Sequence, residues 1–559
     1  MEKRWIIPPR LPLEVDHALH GYPPILRQIL YNRGYATHED ARSFLEARTP
    51  PGTDPLNLSG VAPAVERIQS AIRHAEPIAI YGDYDADGVT ATALLVEVLN
   101  RLGADVRGYI PNRFDEGYGL NNEALSSLRD QGIRLIITVD CGIRSVSEAE
   151  HARQLGIDLI ISDHHHPGPE IPHAFAVINP KLPGDTFPEK DLAGVGLAYK
   201  LACALIGDDQ AESSTDLLDL VALGTVADMA PLVGENRALV RAGLEVLRRP
   251  RRQGIRSLMG ASGLMPDKIN ASHIGFVLGP RLNAAGRLDT ALAALNLLLT
   301  SDLGEAGILS QQLDMYNRER QEITRLIQES AEQMVLADDP QALLLVAAHS
   351  DFNAGVVGLA ASRLCEKYYR PSIIATRGEE FTRASCRSIP EFHITQALDQ
   401  CADLLEHHGG HAAAAGFTVV NENVDELIAR LRLIANQELG ELDLRPVLQS
   451  DMELPLNELK PELLNYLDWL QPTGYGNRAV HFVSRNLRVT RSQAVGRDGS
   501  HLKMSVSDGR ITYDAIAFRQ GHWLDDLPTH VDLLYEFETN EYNGRVSLQL
   551  NVRDIKPSS

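Results

Sequence analysis

The sequence predicts an α/β protein: a parallel-sheet domain joined by a long helix to a second α/β domain, followed by a C-terminal OB-type β-barrel. Three observations carry this. From Pro77 onward short apolar runs alternate with helical stretches, a pattern that implies right-handed crossovers and a parallel sheet. Between Asp314 and Leu336 apolar residues recur at Tyr316, Ile323, Ile327, Met334 and Val335, with Arg and Glu filling much of the rest. Such a charge-laced helix suits a bridge between two lobes. Beyond about residue 450, Asp498-Gly499, Asp508-Gly509 and Asn543-Gly544 are hairpin signals between alternating strands such as HLKMSVS and ITYDAIAF, and regular short strands make a small barrel.

The chain has 559 residues, which predicts three or four domains. The expected divisions are an accessory segment at 1–70, a parallel-sheet domain at 71–235, a helical region at 236–341, a second α/β domain at 342–445 and the barrel at 446–559. Hydrophobic content of 44% and charged content of 23% are ordinary for globular proteins. No apolar stretch approaches a membrane span, and the N-terminus lacks the apolar core of a signal peptide. Five scattered cysteines, with no CxxC pair, support neither a disulfide framework nor a thiolate zinc site. A reducing cytoplasm is the expected compartment. The net charge of −22 argues against a nonspecific nucleic-acid binder, so local patches matter more than the sum.

Taken in order, Ile25–Tyr35 and Thr37–Leu45 read as short helices, with Thr37 an N-cap. Ile78–Tyr81 reads as a buried strand and Gly88–Leu102 as a helix. Asp105–Ile110, Arg134–Val139 and Ile157–Ile161 are further strands, separated by helices at Asn121–Gln131 and Ser145–Leu155. LLLVAA (343–348) and SIIAT (372–376) restart the pattern.

Three of these strands end in acids: Asp83, Asp85 and Asp87 after the first, Asp140 after the third, and Asp163 followed by His164-His165-His166 after the fourth. Ligands collect outside the carboxyl ends of strands in open α/β sheets. Anions packed this closely are costly unless cations hold them. Asp83-x-Asp85-x-Asp87-Gly88 matches the opening of an EF-hand loop, but the twelfth position is Leu94, not Glu, and a strand precedes it. Asp and His at one sheet edge are ligands for Mn²⁺, Mg²⁺ or Zn²⁺; with carboxylates dominant and thiolates absent, a hard or borderline ion such as Mn²⁺ is favoured. Asp228, after another apolar run, is a fourth acid of this kind.

Gly409-Gly410-His411 opens an Ala-rich stretch, and glycine backbone beside a helix can cradle an anion. With Ser385 and Arg387 upstream it makes a candidate phosphate site. From Arg485 to Arg519 seven basic residues face three acidic ones. With Phe518, Trp523 and Tyr542 as stacking faces, this is the composition of a single-strand groove.

GDYDADG, VDCG, SDHHH and GTVADMAPL resemble the four ordered motifs of the DHH phosphoesterase superfamily. Their spacing is similar to that of its bacterial single-strand-specific exonucleases. The likeness continues through PNRFDEGYGLN (111–121), GPRLNAAGRLD (279–289), SCRS, GGHAAAAGF and TGYGN. One departure is Tyr81, where the superfamily often has a His before the acids, so that one ligand of the first metal would be missing or replaced by water. The resemblance implies a DHH parallel-sheet domain, a DHH-associated α/β domain and an OB-fold that binds single strands. It implies two Mn²⁺ (or Mg²⁺) ions on Asp85, Asp87, Asp140, His164 and Asp228, with Asp140 as the bridge. Asp83 and Asp163 would orient ligands and His165 would meet the scissile phosphate. Arg113, Arg281, Asn283, Arg287, Ser385, Arg387, Gly409, Gly410 and His411 would bind substrate. The implied reaction is hydrolysis of single-stranded DNA from the 5′ end to mononucleotides, in repair and recombination. Implied partners are a single-stranded-DNA-binding protein and a helicase, with no membrane and a monomeric chain. Two other readings are an inorganic pyrophosphatase or short-oligonucleotide nuclease, which needs no basic barrel, and a non-catalytic DNA scaffold, which would have lost its acids.

Overall fold

In the computed structural model, all residues are described except 1, 114, 115, 118, 208–213, 543 and 559. The chain divides into two compact units: residues 5–283, 291–310 and 448–559 form the larger, and residues 1–4, 284–290 and 311–447 the smaller.

The larger unit contains a five-stranded, all-parallel sheet in the order Val106–Tyr109, Ile78–Gly82, Leu135–Val139, Asp158–Ser162 and Ala176–Ile178. The strands Ile78–Gly82 and Leu135–Val139 are buried along their whole length, as a parallel sheet covered on both faces requires. The helix Ala86–Arg101 is buried on nearly every side through Leu95. It packs against the helices Gly194–Ile206 and Leu218–Ala227. The apolar run before Asp228 is thus a helix, and Asp228 is its C-cap.

Residues 24–46 form two helices, Pro24–Asn32 and His38–Glu46, with Thr37 capping the second by accepting from Asp40 N at 3.2 Å. Their apolar faces do not form a separate layer. Leu19, Leu26, Ile29, Leu30, Phe44 and Leu45 share one core with the barrel residues Phe482, Leu502, Met504, Val531, Tyr535 and Leu550. The barrel strands Phe482–Val495, His501–Ser507, Thr512–Ala517, Arg545–Pro557 and His530–Tyr542 close because the first also pairs with the last. The turn at Asp508-Gly509 joins two paired strands. The expected turn at Asn543-Gly544 includes Asn543, outside the described residues, as is the side chain of Tyr542. Trp523 packs against the barrel core instead of offering a stacking face, whereas Phe518 is half exposed, edge-on to His501.

The smaller unit carries a mixed five-stranded sheet in the order Leu405–His411, Ala414–Val420, Phe381–Arg387, Ser372–Arg377 and Leu345–His349. The Gly409-Gly410-His411 stretch is the end of a strand in a tight antiparallel hairpin, not the lead into a helix. Gly410 sits at φ +147°, and a Cβ there would lie 2.3 Å from Ala414 O. The helix Leu303–Asp338 has 36 residues, longer at both ends than the apolar recurrence indicates. Among the described residues no helix is long and apolar enough to cross a membrane.

Candidate metal centre

The acids converge because parallel strands present their carboxyl ends to one edge. Asp85 ends the first strand's loop and caps the helix Ala86–Arg101, its Oδ1 accepting from Asp87 N at 2.9 Å and Gly88 N at 3.1 Å. Asn283 Oδ1 accepts from Ala86 N at 2.6 Å and so braces the same turn. Asp87 lies at the N-terminus of the helix Gly194–Ile206, where its two oxygens accept from Gly194 N at 2.7 Å and Val195 N at 2.8 Å. These helix-end donors, which have no partner within the helix, suit a carboxylate. Glycine is required at 194 and 224: a Cβ would come within 2.8 Å of Asp140 Cβ at the first and 2.9 Å of Asp87 Oδ1 at the second. The signal for these missed residues is Ala193-Gly194-Val195-Gly196, a small-residue opening to an apolar helix.

Asp140 is held at φ +63° and Met229, directly after Asp228, at φ +61°. Left-handed backbone costs a non-glycine residue about 1–2 kcal/mol, so both turns are strained where they aim a functional residue.

His164 Nε2 lies 3.0 Å from Asp140 Oδ1 and 3.8 Å from both Asp87 Oδ2 and Asp228 Oδ2. Asp140 Oδ1, His164 Nε2 and Asp83 Oδ1 are buried without a hydrogen-bond partner. Ligand atoms of Asp83, Asp85 and Asp140 form one group within 4.8 Å of one another, and those of Asp87, His164 and Asp228 form a second. A third group joins Asp140, His164 and His165, so Asp83 and His165 lie within the cluster together with the expected ligands. Asp163 stands behind it: its oxygens accept from Ile143 N at 2.9 Å and His165 N at 3.0 Å, and it pairs with His165 Nδ1 at 2.8 Å. Tyr81 is no ligand. Its buried hydroxyl donates to Gly119 O at 2.9 Å and accepts from Asn121 Nδ2 at 3.2 Å.

Burial and the mutual repulsion of the acids dominate the electrostatics. Burial, then the Asp85 charge, pushes Asp87 up to about 7. Burial, with Asp87 and Asp85, pushes Asp228 up to about 9. Asp83 and Asp140 are raised well above the carboxylate range for the same reasons. Burial and the neighbouring His165 lower His164 to about 3, so its imidazole is neutral and free to ligate. Burial opposes charge on both His165 and Asp163, but their pairing overrides it, raising the histidine and lowering the acid. A set of raised carboxyls with orphan oxygens around a neutral imidazole is the donor set of hard divalent cations.

The other predicted binding residues fall in two places. In the larger unit Arg113 lies over the Tyr84 ring at 5.0 Å, and Arg281 donates to Val277 O at 2.8 Å. Phe114, Asp115 and Tyr118 of that motif lie outside the described residues. In the smaller unit Arg287 donates to Gly355 O at 3.2 Å. Across three strands Ser385, Gly416 and Gly409 are in register, and two residues along so are Arg387, Ala414 and His411. Positions two apart share a sheet face, so Ser385, Arg387, Gly409 and His411 share one, floored by small residues. Gly410 alternates to the other face. Arg387 donates to Ser385 Oγ at 3.1 Å and Cys386 O at 2.8 Å and has no carboxylate partner among the described residues. Burial lowers its pKa. Gly358, in the first turn of the helix Val357–Tyr368, lets that helix end approach: a Cβ there would be 2.8 Å from Ser385 Oγ. Arginine, hydroxyl and helix N-terminus together make an anion site.

The family model of the DHH family N-terminal domain matches residues 77–225, the DHHA1 domain 341–437 and the RecJ OB domain 450–554. The single-stranded-DNA-specific exonuclease RecJ of Escherichia coli is 37% identical, over 96% of each chain. That of Bacillus subtilis is 40% identical over 96% of this chain and 68% of its own. The crystal structure of Thermus thermophilus RecJ in complex with Mn²⁺ superposes with a TM-score of 0.85 at 31% identity, covering this whole chain and 80% of that one. A Mg²⁺ complex from the same organism gives 0.80. With relatives 37–40% identical along nearly the whole of this chain, it belongs to the RecJ family of DHH proteins.

Proposed function

We propose that this chain is a metal-dependent exonuclease that hydrolyses single-stranded DNA from the 5′ end to mononucleotides, in DNA repair and recombination. The observation that carries the reading is the pair of buried, unpartnered atoms Asp140 Oδ1 and His164 Nε2, 3.0 Å apart, inside a ring of acids. Two Mn²⁺ (or Mg²⁺) ions fit this donor set: Asp83, Asp85 and Asp140 would hold one, Asp87, His164 and Asp228 the other, with Asp140 shared. Bound there, they supply an activated water and neutralise charge on the attacking and leaving oxygens.

The chain's own residues do the rest. Gly194 and Val195 fix Asp87 by both oxygens, so that its carboxylate does not reorganise during turnover. Asp163 orients His165 and favours its protonated form, which donates to a phosphate oxygen. Arg387 and Ser385 bind the phosphate at the strand's 5′ end, and Arg113, Arg281 and Arg287 bind others along it. The barrel supports a longer single strand. Of its seven basic residues from Arg485 to Arg519, only Arg485 is in a carboxylate ion pair among the described residues, with Glu453 and Asp532. Relatives named for single-stranded-DNA specificity and the match to the RecJ OB domain support this substrate. The enzyme acts as a cytoplasmic monomer alongside a single-stranded-DNA-binding protein and a helicase.

The test is digestion of end-labelled single- and double-stranded oligonucleotides with Mn²⁺, Mg²⁺ or EDTA. Mononucleotides released from the 5′ end of single strands, only with metal, are expected. Equal digestion of blunt duplex, or release from the 3′ end, would refute the reading.

A further inference from the structure

Taking Asp228 as a metal ligand, we propose that residues 469–477, which include the Thr473-Gly474-Tyr475-Gly476-Asn477 motif, are a clamp that positions it. Asp228 ends its helix in a tight reversal: Met229 N donates to Val226 O at 3.2 Å and Ala230 N to Thr225 O at 3.1 Å. Those two bonds define a Schellman stop, whose left-handed position is usually glycine. Here it is Met229, at φ +61° and 65% exposed. Glycine's tolerance and burial of Met229 are both absent here, so beyond its two hydrogen bonds the turn depends on the chain that follows.

That chain is gripped by the motif. Leu232 N donates to Tyr475 O at 2.7 Å. A Cβ on Gly474 would lie 2.8 Å from Leu232 Cδ1, and one on Gly476 would lie 2.9 Å from Pro231 Cβ. At Gly474 the space is taken by Leu232, and at Gly476 by Pro231 in addition to a left-handed φ of +73°. The loop is itself rigid. Gly474 and Asn477 exchange backbone hydrogen bonds, and Asn477 Nδ2 donates to Leu470 O at 2.9 Å and Pro472 O at 2.7 Å. From the helix just after the gripped segment, Arg237, 1% exposed, donates to the carbonyls of Trp469, Leu470, Gln471 and Pro472. Phe44 O is a fifth acceptor, and the guanidinium also lies over the Phe44 ring at 4.1 Å. The motif lies within the residues matched by the OB-domain model. A segment of the barrel domain thereby sets one ligand of the metal centre, a place that substrate contacts do not explain.

The experiment is a Mn²⁺ titration of the full-length protein without DNA, by calorimetry, for Gly474→Ala and for Gly474→Ala/Leu232→Ala. The φ of Gly474 is not left-handed, so alanine there changes only the contact with Leu232. Gly474→Ala should weaken Mn²⁺ binding at least tenfold, and removing the Leu232 side chain should restore most of it. In nuclease assays the metal concentration for half-activity should rise while the rate at saturating Mn²⁺ changes little. If Gly474→Ala does not fold, Gly476→Asn presses on Pro231 instead, in a backbone conformation asparagine tolerates, and the same weakening is expected. Binding within twofold of wild type, with only the melting temperature lowered, would overturn the clamp and leave the loop as packing. Asp228→Asn is the control. If it binds Mn²⁺ like wild type, the ligand assignment is at fault, and the clamp falls with it.

Discussion

Asp228→Asn should make the metal-free protein more stable, by an amount that grows with pH. Burial and its acidic neighbours raise this carboxyl from 3.8 to about 9, and its side chain is 24% exposed. An acid whose pKa is higher in the fold than in the unfolded chain favours the fold at low pH, and that favour is lost as pH climbs toward the folded value. Each pH unit of the difference is worth about 1.4 kcal/mol, so by pH 7 the wild type has lost roughly 4 kcal/mol at this site relative to pH 4. Asp83, Asp87 and Asp140 share the same repulsion, so the titration belongs to the set and removing one member returns only part of that loss. The expected gain is about 1 kcal/mol at pH 5.5, ~2 at pH 7 and ~3 at pH 8.5. The assay is urea denaturation of EDTA-treated protein at those three pH values. Excess Mn²⁺ should reverse the order, because it stabilises only the form that binds it. A variant less stable than wild type at pH 8.5, or a difference that does not change with pH, would refute the electrostatic account.

Asp140→Asn, which keeps a residue tolerant of the left-handed turn at φ +63°, should abolish hydrolysis while circular dichroism stays unchanged; near-normal turnover in Mn²⁺ would remove Asp140 from the bridging position. Mn²⁺ binding at pH 7 should release protons, because Asp228 and part of Asp87 hold them in the metal-free state. Calorimetry in buffers of different ionisation enthalpy measures this, and buffer-independent heats would contradict it. Arg387→Ala should reduce the preference for 5′-phosphorylated over 5′-hydroxyl strands about 10- to 100-fold, the worth of a charged hydrogen bond. Its melting temperature should hardly move, since no carboxylate is left behind. Replacing Arg488, Arg491 and Lys503 with Glu should flatten the salt dependence of binding to long single strands, by about 0.7 in slope for each phosphate no longer neutralised. Cleavage of very short oligonucleotides should be spared.

The parallel sheet was legible because its strands are apolar runs ending in acids, and a strand's end is a fixed point in an α/β fold. Local signals did as well: Thr37 caps where its position indicates. Legibility failed where the deciding contact is remote. The local pattern gives Asp83 and Asp163 the same rank, and only the fold separates them: Asp83 groups with Asp85 and Asp140, whereas Ile143 N, His165 N and His165 Nδ1 occupy the oxygens of Asp163. Gly409-Gly410 reads equally well as a helix lead or a hairpin, and its pairing with residues 415–416 settles it. The accessory reading of residues 1–70 missed a core completed more than 400 residues later. For the same reason truncation near residue 450 does not isolate the barrel's contribution: it would strip Leu26, Ile29 and Phe44 of their cover and leave Arg237 without four of its acceptors.

That shared core also sets the order of events at the ribosome. Trp5 Nε1 donates to Asp554 Oδ2, 549 positions away, and the helix Pro24–Asn32 buries Leu26, Ile29 and Leu30 against strands that begin at Phe482. Synthesis proceeds at about 5–20 residues per second, so these first helices emerge roughly 20–90 s before their partners exist. The sheet between Ile78 and Ile178 can form meanwhile, but the N-terminal apolar face stays uncovered until the last strands leave the exit tunnel. Nascent chains stalled at residue 450 should therefore be cut by protease within residues 13–46 and protected at 77–206, and release of the full chain should close the first window.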